Sequence, residues 1–140
     1  PEIIEMLRQK SRPYLFSNTL APPIVGASLK VLEILKSDTS LKTRLDQNTK
    51  LFRESIVSEG FDIVPGTHPI TPIMLYDAVL SQKMSQLLLE EGIYAVGFFF
   101  PVVPKDKARI RIQISAAHTS EEIMQCVEAF RKAGRQLGII

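Results

Sequence analysis

Arg109 and Arg111 stand two residues apart, and their types and spacing are the ones in this sequence best suited to chemistry. From Ala108 to Ser115 the alternation is strict. Ile110, Ile112 and Ile114 fall on one face; Arg109, Arg111, Gln113 and Ser115 fall on the other. A strand therefore points both guanidinium groups the same way. A planar guanidinium can grip a carboxylate or a phosphate through two parallel N–H bonds. The same spacing also describes a solvated sheet face that keeps its charges for solubility, and exposed arginine is the ordinary case. Spacing alone leaves both readings open.

Other candidates are weaker. Phe16-Ser17-Asn18 precedes Pro22-Pro23, a suitable helix start, so hydroxyl, amide and backbone N–H groups could gather there for an anion. Ser and Asn are equally at home in a simple turn. His68 precedes a proline and His118 precedes a capping threonine; both read as turn histidines with backbone partners rather than as bases. They lie far apart in sequence, with no carboxylate or thiol at ligand spacing, so no metal site is expected. Cys126 falls on an apolar helical stripe and reads as an inert core residue. No G-x-G-x-x-G, phosphate-binding loop or nucleophile elbow occurs.

The elements that must position these residues follow from periodicity and punctuation. Residues 2–7 read as helix, and Pro13 is expected to stop it, with residues 14–19 as a short extended or turn segment. Helical spacing runs from Ile24 through Leu35, pauses near residues 37–40, and resumes through Leu41, Leu45, Phe52 and Ile56 to Gly60. Residues 61–64 read as a strand closed by Pro65-Gly66. Residues 70–75 read as a second strand whose prolines place it at an edge or a bulge. Asp77 caps a helix to Glu91, residues 93–100 form a third strand, and residues 101–107 a proline-pinned loop. Residues 108–115 are the fourth strand. Thr119 and Glu122 form a capping box for a last helix that buries Ile123, Cys126, Val127, Phe130 and Leu137. The order predicts an α+β fold: a mostly antiparallel sheet with helices on one face.

Composition bounds the rest. With 140 residues, 45% apolar and 23% charged, the chain has the make-up of one folded domain, or of a domain with an arm. A net charge of +2 gives no reason to expect nucleic acid or an anionic membrane as partner. The longest apolar stretch, residues 92–103, is too short and interrupted to span a bilayer. A single cysteine excludes an internal disulfide and fits a reducing cytoplasm. The chain opens on Pro1 inside a helix, as a piece cut from something longer would.

Three stretches taken together resemble the α-oxoamine synthases, pyridoxal-phosphate enzymes of aminotransferase fold type I. They are Ser11-Arg12-Pro13-Tyr14-Leu15-Phe16-Ser17-Asn18, His68-Pro69-Ile70 followed by Pro72-Ile73-Met74-Leu75, and the run from Pro101-Val102-Val103-Pro104-Lys105 through Arg109-Ile110-Arg111 to His118-Thr119. The resemblance extends from Glu2 to Ile140. The Phe-Ser-Asn and Pro-Val-Val-Pro-Lys runs look like those of the branch that joins glycine to acetyl-coenzyme A. The sister 5-aminolevulinate, 8-amino-7-oxononanoate and serine palmitoyl enzymes share the R-x-R strand but usually lack those two runs. Asp106 stands where the family commonly has Gly, and Phe100 where Tyr is common.

The resemblance implies the C-terminal small domain of a fold type I enzyme, residues 21–140, preceded by an arm from the end of the large domain, residues 1–20. It implies pyridoxal 5'-phosphate as cofactor, glycine and acetyl-coenzyme A as substrates of an acyltransferase serving threonine breakdown, and a cytoplasmic homodimer with shared active sites. Ser17 and Asn18 match the segment that reaches the cofactor phosphate in the other subunit's site. Arg111 matches the residue that binds the substrate carboxylate, and Arg109 a structural position. The lysine that carries the cofactor as a Schiff base lies upstream of Ser11 in this family, so no catalytic residue is expected here and the chain alone should be inactive. The alternatives are a sister synthase with another acyl or amino-acid partner, and a non-catalytic α+β interaction domain.

Overall fold

The computed structural model describes all 140 residues. They fall into two compact units, Pro1–Asp38 and Thr39–Ile140.

The first unit is helical: α1 (Glu2–Lys10), α2 (Arg12–Phe16) and α3 (Pro22–Ser37). The break between α1 and α2 falls at Ser11, whose backbone is extended, and not at Pro13. Pro13 sits in the first turn of α2, where its missing N–H costs no helical bond. Residues 14–16 are therefore helical rather than extended. Pro22 and Pro23 open α3 as expected.

The second unit is an α+β layer. Helix α4 (Ser40–Ser58) leads to strand β1 (Ile70–Tyr76), helix α5 (Ala78–Glu90), the two-residue strand β2 (Gly97–Phe98), strand β3 (Ala108–Gln113) and helix α6 (Ser120–Leu137). The sheet order is β1-β3-β2, with both pairs antiparallel. Strand β1 is an edge strand, a place where Pro72 is tolerated, and carries an irregularity between Met74 and Tyr76. Residues 61–64 fall short of a strand: one bridge, Ile63 to Ile73, is all that forms. Val64 N–H donates to the Pro72 carbonyl and Met74 N–H to the Asp62 carbonyl. Pro72 has no N–H to return, so the ladder cannot extend.

The apolar face of β3 builds the core. Ile110, Ile112 and Ile114 pack with Phe52 and Ile56 of α4, Met84 and Leu88 of α5, and Ile123, Val127 and Phe130 of α6. Phe61 meets Phe130 edge to face at 5.7 Å. Both predicted caps are present: Leu80 N–H donates to Asp77 Oδ1, and Thr119 and Glu122 exchange both bonds of the capping box. Ile123, Val127 and Phe130 are buried as the stripe predicts, while Cys126 and Leu137 are half-buried at its margin. No helix is long and apolar enough to cross a membrane.

Candidate functional site

Strand β3 carries the site because its register fixes what shares the polar face. Gln113 faces Ile70, Arg111 faces Pro72 and Arg109 faces Met74 across β1; on the other side Arg109 faces Phe98 of β2. Phe98 thus lies diagonal to Arg111 on the same face. The Arg111 Cζ lies over that ring, 4.5 Å from the centroid. A ring offers a cation its electron-rich face and takes none of its N–H groups as a conventional hydrogen-bond donor.

The two arginines differ in their use. Arg109 donates from Nε to the Lys107 carbonyl at 2.9 Å, so part of its rim serves the local turn. Arg111 is exposed and forms no ion pair with any carboxylate of the chain. Arg111 and Phe98 line an open groove of about 640 Å³ between residues 92–96, β3 and α6. Gln113, His118, Glu122 and Cys126 also face it.

That groove exists because β2 is short. Residues 93–100 were expected to run as one strand, yet only Gly97 and Phe98 pair with β3. Two backbone groups of residues 93–96 find partners on α5 instead. Ile93 N–H donates to the Leu88 carbonyl, and the Ser85 hydroxyl donates to the Ala95 carbonyl. The segment therefore swings toward the helix and opens a gap beside Arg111.

Two side chains not singled out by sequence hold the turns that flank β1 and β3. Buried Arg53 of α4 donates to the carbonyls of Val64, His68 and Ile70, collecting three orphan acceptors of the turn into β1. Buried Asn48 donates to the carbonyls of Ser115 and His118 after β3. The available signal was a polar residue on the apolar side of a helix, which must find partners.

The histidines are turn residues as expected: His68 Nδ1 accepts from Ile70 N–H and His118 Nδ1 accepts from Ser115 N–H. Burial pushes the Cys126 thiol up to about 11. A hydrogen bond to Asp62 raises the exposed Tyr76 phenol above its ordinary value.

Ser17 and Asn18 belong to the first unit, immediately after α2. Ser17 is the C-cap of that helix, and both its N–H and its hydroxyl donate to the Pro13 carbonyl. Ser17 and Asn18 are exposed. The single Ser17 hydroxyl proton is committed to Pro13 in this arrangement and must turn from it to donate elsewhere, whereas a carboxamide such as that of Asn18 has N–H donors of the kind a phosphate accepts.

The chain is similar to known proteins over nearly its whole length. The family model for aminotransferase class I and II matches residues 1–130. The 2-amino-3-ketobutyrate coenzyme A ligase of Escherichia coli (strain K12) is 55% identical over 139 residues, 99% of this chain and 35% of that protein. The 8-amino-7-oxononanoate synthase of Thermosipho melanesiensis is 47% identical over 139 residues, 99% of this chain and 36% of that protein. A high-resolution structure of SPT with its PLP internal aldimine superposes with a TM-score of 0.89 at 28% identity, covering 98% of this chain and 35% of that one. The chain thus spans about a third of the length of the curated relatives it matches. With that family model matched over nearly the whole length of the chain, the chain belongs to the aminotransferase class I and II family.

Proposed function

We propose that this chain supplies the substrate-carboxylate contact and part of the cofactor-phosphate contact of a glycine C-acetyltransferase, also called 2-amino-3-ketobutyrate coenzyme A ligase. The reaction joins glycine and acetyl-coenzyme A to give 2-amino-3-oxobutanoate and coenzyme A, and serves threonine breakdown in reverse. The single observation that carries the reading is Arg111: a guanidinium on the polar face of β3, backed by an aromatic ring, with no carboxylate of its own. The 55% identity to the ligase supports the branch.

In this reading Arg111 binds the glycine carboxylate through two parallel bonds and fixes the orientation of the amino acid. Ser17 and Asn18 would hold the phosphate of pyridoxal 5'-phosphate, to which hydroxyl and carboxamide donors are suited. When bound, that cofactor supplies an electron sink for the pair left at the glycine α-carbon. The lysine that links the cofactor is assigned upstream, since none of the nine lysines here lies in a matching motif. The 140-residue chain alone should therefore be inactive. The active form is a homodimer in which the segment bearing Ser17 serves the neighbouring subunit. Its cytoplasmic placement rests on the unpaired Cys126.

Kinetics of the full-length polypeptide carrying this chain test the reading. Arg111→Ala should lower kcat/KM for glycine by about 30- to 1000-fold, the loss of a paired charge in a binding site. Arg109→Ala should do much less. If the two effects are reversed, the carboxylate site is wrongly assigned by one strand repeat. Mixing Ser17→Ala subunits with subunits lacking the upstream lysine should restore about one working site per hybrid dimer; no recovery would refute sharing across the interface.

The 47% identity to an 8-amino-7-oxononanoate synthase motivates a second reading, a sister synthase. Assays with glycine against alanine, and acetyl- against longer acyl-coenzyme A, separate the two.

A further inference from the structure

We propose that Phe98 is a positioning residue for the amino-acid substrate: its ring holds the Arg111 guanidinium flat, with the donor rim turned outward for a carboxylate. The proposal rests on the reading of Arg111 given above and adds a residue to it.

Three observations support it. The Arg111 Cζ lies 4.5 Å from the Phe98 centroid, the shortest of the four cation–ring contacts in the chain; the others lie at 5.4–5.8 Å. Phe98 has no polar atom, so it restrains the guanidinium without taking any of its N–H donors. Its backbone is itself fixed. Gly97 packs so closely on α5 that a Cβ there would stand 2.9 Å from the Ser81 carbonyl oxygen, and Phe98 pairs with Arg109 across the sheet. The ring is thus mounted on a short strand held from both sides.

The physical consequence is preorganisation. An exposed arginine on a strand samples many rotamers, and ordering it on binding costs affinity. A ring beneath it removes much of that freedom beforehand. Such a device strengthens glycine binding and leaves the chemical step alone, because the ring does not touch the reacting atoms.

The test uses the full-length protein with Phe98→Leu, Phe98→Tyr and Arg111→Ala. Phe98→Leu should raise KM for glycine by about fivefold, the order of an exposed cation–ring contact. kcat should stay within about twofold and KM for acetyl-coenzyme A should not move, as a pure binding effect requires. Phe98→Tyr, which keeps the ring, should stay near the parent. A second readout needs no turnover. In protein labelled with ¹⁵N-arginine, the side-chain signal that Arg111→Ala removes should lie upfield from the ring current and return to the ordinary arginine position in Phe98→Leu.

An unshifted Arg111 signal in the parent overturns the proposal. So does an unchanged glycine KM in Phe98→Leu, or parallel loss of kcat and acetyl-coenzyme A binding in that variant. If Arg111→Ala weakens glycine binding while Phe98→Leu does not, this proposal alone fails. If Arg111→Ala leaves glycine kinetics intact, the carboxylate reading fails and takes the proposal with it.

Discussion

Asp106 stands where the family resemblance suggests glycine, and its backbone is left-handed, with φ of 58°. An aspartate tolerates that region better than most L-residues, at a cost glycine does not bear. Asp106→Gly should therefore raise stability by about 0.5 kcal/mol, after the greater freedom of glycine in the unfolded chain is subtracted. Urea denaturation of the two proteins measures the difference; a clear loss would show that the Asp106 side chain contributes a contact. The two arginines make the complementary point. Their shared face was legible from a two-residue period, but their different uses were not. Only the turn that brings the Lys107 carbonyl back to Arg109, and the ring that meets Arg111, separate them.

Elements follow the same division. Helices α5 and α6 were readable to their caps, because a cap is a local hydrogen-bond problem with a local solution. Strand β2 was not. Its apolar run is long enough for eight residues of strand, yet the carbonyl of Ala95 and the N–H of Ile93 find partners on α5. Gly97 is the pivot: its φ needs no glycine, but its space does. A methyl group there would meet the Ser81 backbone at 2.9–3.1 Å, which a helix cannot yield cheaply. Gly97→Ala should cost about 1–3 kcal/mol of stability by overpacking. It should also shift Phe98 away from Arg111, so under the proposed carboxylate role of Arg111 the glycine KM of the full-length protein should rise with the fall in denaturation midpoint. Unchanged stability would mean that β2 and α5 separate freely.

At the scale of the whole molecule, the margin of the core sets a pH dependence. Cys126 lies at the edge of the cluster formed by α4, α5, α6 and β3, and burial lifts its thiol to about 11. In the unfolded chain a cysteine thiol titrates near 8.5. Between those values the unfolded state binds fewer protons than the folded state, so stability falls as pH rises. The contribution is complete below about pH 8.5 and is lost on the way to about 11. The stability difference between the parent and Cys126→Ala should accordingly shrink between pH 8 and pH 10.5, as read from denaturation midpoints. At pH 8 the folded thiol should react with a disulfide reagent roughly 100-fold more slowly than in denaturant, because so little of it is thiolate. Equal rates would place Cys126 in open solvent.

The sequence by itself determined the α+β class, the antiparallel β3 with its apolar and arginine faces, the caps of α5 and α6, the edge character of β1 and the family resemblance. Each of these is written in short-range patterns: a period of two, a period of 3.6, a cap three residues from its partner. The tertiary structure alone decided the rest. Residues 61–64 were reduced to a single bridge because Pro72, eight residues or more away, has no N–H to offer. Arg53 was drawn to the turn into β1 by carbonyls that nothing else could satisfy. The ring under Arg111 came from a strand whose length depended on α5. Backbone groups must be paired wherever they are buried, and which partner is nearest depends on packing between elements distant in sequence.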